Sequence, residues 1–107
     1  MNYRISESKL HSVVSKYLNS LDLIEVNTPN KIYFVYSMED EYATLRIDKE
    51  DFFCEVNYKL IDKLSSFFSM STTECWDAIV KWLEEQKDIK IFDIWSADGY
   101  IRGDLRL

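Results

Sequence analysis

The chain has 107 residues, 13 Lys+Arg against 19 Asp+Glu and a formal net charge of −6, which sets the scale of a single domain. Hydrophobic residues make up 47% and aromatics 15%, enough to bury a core, so the chain is not expected to be disordered. Its two glycines, Gly99 and Gly103, fall in the last nine residues, which excludes a P-loop or a dinucleotide-binding glycine fingerprint anywhere before them.

Leu10, Val13, Val14, Tyr17, Leu18 and Leu21 recur at helical spacing and predict an amphipathic first helix with Ser6 as N-cap and Glu7 in its first turn. Its other face carries Ser8, His11, Ser12, Ser15 and Asn19 and reads as solvated. Leu23 to Val26 predicts a short strand, and Thr28-Pro29-Asn30 a turn. Lys31 to Tyr36 is β-branched and aromatic, a strand apolar on both faces. Glu41 to Ile47 predicts a third strand and Phe52 to Val56 a fourth, with Asp48 to Asp51 as the turn between them. Short connections favour an antiparallel meander.

Asn57 to Ser69 predicts a second helix, with Tyr58, Ile61, Leu64, Phe67 and Phe68 near one face. Ser71-Thr72-Thr73-Glu74 matches a capping box that opens a third helix, whose expected core face is Trp76, Ile79, Val80 and Leu83. Trp82 aligns instead with Cys75 and Ala78, a second apolar edge that either another helix or a partner would cover. Ile89 to Trp95 predicts a strand, Asp98-Gly99 a hairpin turn, and Ile101 to Leu107 an alternating last strand. The expected fold is one α+β domain over residues 1–107, in the order α-ββββ-αα-ββ, with an antiparallel sheet and helices mainly on one face.

No apolar run is long enough to span a membrane, and Met1-Asn2-Tyr3-Arg4-Ile5-Ser6-Glu7 lacks a secretory signal's apolar stretch. The expectation is a cytoplasmic chain with no membrane association. Cys54 and Cys75 fit two reduced, buried thiols better than a disulfide framework. Cys75 also falls in the first turns of a helix, where a thiol can be acidified. His11 is the single histidine and cannot supply a multi-histidine metal site. Asp48-Lys49-Glu50-Asp51 has the oxygen ligands of a cation loop but lacks its glycine and carries a lysine, so it reads as a solvated turn. No cofactor is expected.

The charge has a location. Between Ser37 and Glu55, seven acids face only Arg46 and Lys49. That argues against nucleic acid as a partner, because binding to phosphates starts from a basic patch. An acidic face suits a protein partner with a basic surface, or is simply a solvated surface. The candidate contact residues are Glu39, Asp40, Glu41, Tyr42, Asp48, Glu50, Asp51 and Trp82. The leading functional expectation is a non-enzymatic protein-binding module. The alternatives are a self-associating structural or chaperone-like protein, dimerising through the Trp82 edge, and a small hydrolase.

Ile5-Ser6-Glu7-Ser8-Lys9-Leu10 with Val13-Val14 and Tyr17-Leu18 resembles the start of small uncharacterised accessory proteins of tailed phages. The stretch from Tyr58-Lys59-Leu60 to Phe67-Phe68-Ser69 and the Trp-bearing third helix are similar as well. This family has no assigned reaction. The resemblance implies context: a small accessory protein made in a host cytoplasm, where the partner expected of a binding module would be a host protein that it inhibits or modulates. Acidity, size and the α-β-α order also look like type III secretion chaperones, although the helix pair before the last strands departs from that family's order.

Overall fold

In the computed structural model, residues 7–40, 42–97 and 101–102 are described. The first helix, α1 (Glu7–Ser20), leads into β1 (Ile24–Asn27) and β2 (Lys31–Val35). Thr28 closes the turn between them: its amide donates to the Lys31 carbonyl at 2.8 Å, and its hydroxyl accepts from the Lys31 amide at 2.9 Å. β3 (Tyr42–Ala43), β4 (Leu45–Asp48) and β5 (Phe53–Asn57) follow. The single strand expected from Glu41 to Ile47 is therefore broken at Thr44. That residue is buried, its amide bonds Phe34 O at 2.8 Å, and its carbonyl accepts from Asn57 N–H at 2.9 Å. Its backbone continues the main ladder while β3 turns away to pair with β7 (Ile101–Arg102).

α2 (Tyr58–Phe68) starts at Asn57, whose side chain accepts from the Lys59 amide, and stops at Ser69 in left-handed conformation. α3 (Thr72–Lys87) begins with the expected capping box: Glu74 N–H donates to Ser71 Oγ at 3.2 Å and Ser71 N–H to Glu74 Oε1 at 3.0 Å. β6 (Asp93–Ala97) completes the main sheet, ordered β1-β2-β4-β5-β6. The fold is the α+β class expected, with one refinement. β6 lies parallel to β5, because two helices separate them and a long crossover permits that direction. The hairpin expected at Asp98-Gly99 lies outside the described residues.

The registers place Ile32, Phe34, Leu45, Ile47, Cys54 and Val56 on one face, packed against all three helices in one core. Burial of such side chains stabilises by roughly 1.5–3 kcal/mol each before entropy is counted. The buried face of α3 is Cys75, Ala78, Ile79, Trp82 and Leu83, while Trp76 and Val80 are only half-buried. The expected core face is thus rotated by about one residue: the Trp82 edge is the core edge. On the other face of the sheet, Val26, Tyr33, Val35 and Ala43 form a smaller cluster, which accounts for the apolar character of both sides of β2.

Candidate functional site

The two acidic segments do not meet. Lys31 pairs with Asp48 and Phe34 with Leu45, so β2 and β4 carry the Ser37–Asp40 turn and the Asp48–Asp51 turn at opposite ends of the sheet. A five-residue strand separates such ends by roughly 13 Å. At the first end, Asp40 is occupied locally, its Oδ2 accepting from Tyr36 N–H at 2.9 Å and Ser37 N–H at 3.0 Å. Glu39 is exposed. Tyr36 packs under Lys63, whose Nζ sits 5.6 Å from the ring centre, and its hydroxyl is pushed above its ordinary pKa by burial and by Asp40. Glu41 lies outside the described residues, and Tyr42 stands in β3 in register with Arg102.

At the second end, Asp48 bonds Lys31 Nζ at 2.9 Å and accepts from the Glu50 amide at 2.9 Å. The lysine bond, then the amide, hold this carboxyl below its usual range. Lys49 is turned inward to the Thr28 carbonyl at 2.6 Å. Asp51 accepts from the Phe53 amide at 3.1 Å, and both Glu50 and Asp51 are exposed. The turn is rigid and acidic. Among the described residues no group of three or more His, Cys, Asp or Glu side chains is arranged to hold a metal ion.

Beside this turn stand aromatics that sequence reading placed in ordinary strands. Phe53 and Trp95 meet edge to face at 4.8 Å, and Phe52 and Phe92 lie 6.3 Å apart. The parallel register of β5 and β6 brings these four residues together across some forty positions of sequence. The Phe92 amide fastens the corner by donating to Phe52 O at 3.1 Å. Alternation puts Phe53 and Trp95 on the outer face, while Phe52 also packs against the core, so the aromatics wrap the β6 edge. Phe92 is 71% exposed and Trp95 54%. Exposed Asp93 stands in register with Phe53, at the strand end where the exposed Glu50 and Asp51 of the turn precede β5. The only hint in the sequence was the Phe52-Phe53 pair, whose members cannot share a face.

Of the two covers expected for the Trp82 edge, a helix or a partner, it is the helix α1 that covers it, so Trp82 is a core residue and leaves the candidate contact set. It is 6% exposed, tilted against Phe34 at 6.2 Å, and its Nε1 donates to Asn19 Oδ1 at 2.9 Å. His11 is corrected as well. It is half-buried, with Nε2 2.9 Å from Glu85 Oε1, beside a cleft of about 100 Å3 that Glu74, Asp77 and Lys81 also line. Neither thiol answers to it. Burial, then Glu55, pushes the Cys54 thiol up to about 12. Burial, then Glu74, raises that of Cys75, which overrides the acidifying position near a helix start; its Sγ points to Ile61 O at 3.9 Å.

No described helix is long and apolar enough to cross a membrane. Compared with family models, with curated proteins and with solved structures, the chain finds no match in any of the three.

Proposed function

We propose that the chain is a protein-binding module that docks a basic partner surface on the aromatic corner formed by Phe52, Phe53, Phe92 and Trp95. The observation that carries this reading is the exposure of Phe92 and Trp95 beside an acidic turn already held rigid by its own hydrogen bonds. Exposed aromatics grouped in this way are costly to leave in water and are the residue types that dominate binding hot spots. Glu50, Asp51 and Asp93 at the rim favour Lys- and Arg-rich partners and speed encounter with them. Asp48, Glu50 and Asp51 from the sequence-derived set belong to this surface; Glu39 and Asp40 do not. The resemblance to phage accessory proteins makes the partner a host protein, modulated by having its surface covered.

The test is parallel affinity capture with the wild-type chain, a corner variant (Phe92→Ser with Trp95→Ser) and a far-end variant (Glu39→Lys). The reading expects one partner, reproduced with purified components, that the corner variant loses and the far-end variant keeps. Retention of that partner by the corner variant overturns the reading. So does a wild-type chain that sediments as a corner-dependent dimer, which would favour the self-association alternative.

A further inference from the structure

β6 is an edge strand: the main sheet ends on it, and among the described residues no strand pairs with its outer side. The ladder fixes which backbone groups that side presents. Asn57 N–H donates to Thr44 O, so the backbone of Asn57, and by alternation that of Glu55, faces β4. Cys54 and Val56 then face β6, and the parallel register leaves the N–H and C=O groups of Ile94 and Ser96 pointing away from the sheet. One of them is answered inside the strand, since Ile94 N–H donates to Asp93 Oδ1 at 2.9 Å. Among the described residues, no group answers the Ser96 N–H or the two carbonyls.

Proteins usually blunt such an edge with lysine, proline, a bulge or a covering element. β1, the other edge, follows that rule: it has four residues, Lys87 reaches from α3 to Glu25, and Pro29 stands in the turn after it. β6 has five residues, Asp-Ile-Trp-Ser-Ala, with no lysine, proline or glycine. Its outer face carries Trp95, 54% exposed, and the exposed Asp93 two residues before it. Charge selects the occupant. Asp93 lies at the strand end where Glu50 and Asp51 precede β5, and Lys90 is the single base from position 88 to 97. A second copy would bring another −6 to this edge, whereas a basic chain is drawn to it.

We propose that the partner adds a strand to β6: an extended segment of a basic protein, with a Lys or Arg beside Asp93 and an apolar residue two positions away beside Trp95. The proposal rests on the aromatic-corner reading and gives it a mode of recognition. Main-chain bonds to Ile94 and Ser96 supply affinity, and the outer-face pair Asp93 and Trp95 supplies selectivity.

The probe is the peptide acetyl-Thr-Lys-Val-Ile-Val-Lys-Thr-amide, which presents Lys, Ile and Lys on one face in either strand direction. It is titrated into 15N-labelled chain at low ionic strength and followed by two-dimensional NMR. Saturable shifts along β6 are expected, with Kd on the order of 0.1–1 mM, and at saturation the Ser96 amide should exchange with solvent on the order of tenfold more slowly. Two N-methylated peptides test the backbone, one methylated at both Val and one at Ile. Groups facing β6 alternate along the added strand, so one of the two should lose about fivefold or more in affinity and the other little. Glu in place of both Lys should weaken binding about fivefold or more. Absence of saturable binding, equal affinities of the two methylated peptides, or undiminished binding of the Glu peptide would overturn the proposal. A Ser96 amide slow to exchange before peptide is added would overturn it too: release on dilution assigns the edge to a second copy, and protection that survives dilution assigns it to the chain's own residues. A peptide that shifts the Trp95 indole without the N-methyl alternation removes strand addition and leaves the corner reading standing. The corner reading falls separately, when the captured partner survives Phe92→Ser with Trp95→Ser.

Discussion

Replacing Trp82 separates a core role from an interface role. The indole is 6% exposed, lies against Phe34 and spends its one N–H on Asn19 at 2.9 Å. Truncation to Ala removes a buried ring and leaves a cavity, at a cost of about 3–5 kcal/mol. Phe keeps most of the ring volume but loses the N–H. Asn19 is exposed and can turn its carbonyl to water, so the lost bond costs about 1 kcal/mol and the poorer fit about as much again. A chain of this length has a total stability of about 5–16 kcal/mol, so Trp82→Ala removes a large part of it. Urea unfolding followed by circular dichroism measures the change without relying on the fluorophore being removed. The order wild type, Trp82→Phe, Trp82→Ala is expected, and the Trp82→Phe/Asn19→Ala double-mutant cycle should return a coupling near 1 kcal/mol. If Trp82→Ala unfolded within about 0.5 kcal/mol of wild type, the side chain would not be in the core and the packing of α1 on α3 would be wrong.

Three further outcomes follow from the same reasoning. Ser71→Ala removes the cap of α3 and should cost about 1 kcal/mol in thermal or urea unfolding, with Ser71→Asp recovering most of it. Asp48→Asn should cost about 0.5 kcal/mol at pH 7 as one surface pair is lost. Because the folded carboxyl lies below its usual value of 3.8, that contribution is complete well above pH 4 and lost as pH falls through the folded value, so the stability gap between the two proteins should narrow steadily as the solution is acidified below pH 4. Cys54 and Cys75 should resist iodoacetamide at pH 8 in native buffer and react fully in urea, as thiols buried with raised pKa values do; rapid native labelling would contradict their placement.

Short-range signals carried most of the fold. Helix α1, the turn at Thr28, the Asn57 start of α2 and the Ser71–Glu74 box are each written in a few neighbouring residues, and each forms, although Val13 of the expected α1 stripe faces solvent at 41% exposure. What was not legible depends on distant pairing. The break at Thr44 is imposed by bonds to Phe34 and Asn57, neither of which marks the local sequence. The parallel placement of β6 is set by the crossover through α2 and α3, and with it the meeting of Phe53 with Trp95. The rotated face of α3 has a similar origin: a helix covered by α1 as well as the sheet buries a broader arc than periodicity against one surface implies. The charge pattern was read correctly as composition, but one strand length divides it between two ends of the sheet.

The corner reading is tested most directly by a photoreactive benzoyl-phenylalanine placed at Phe92 in the protein's native host, with the same probe at Phe67 as control. Phe67 is 63% exposed on α2, so it is accessible without being part of the corner. A partner docked on the aromatic corner gives one discrete adduct to a different protein from position 92 and none from position 67. The adduct should disappear when Glu50, Asp51 and Asp93 are changed to Lys. No adduct at position 92, the same adducts at both positions, or an adduct only to a second copy of the chain would contradict it.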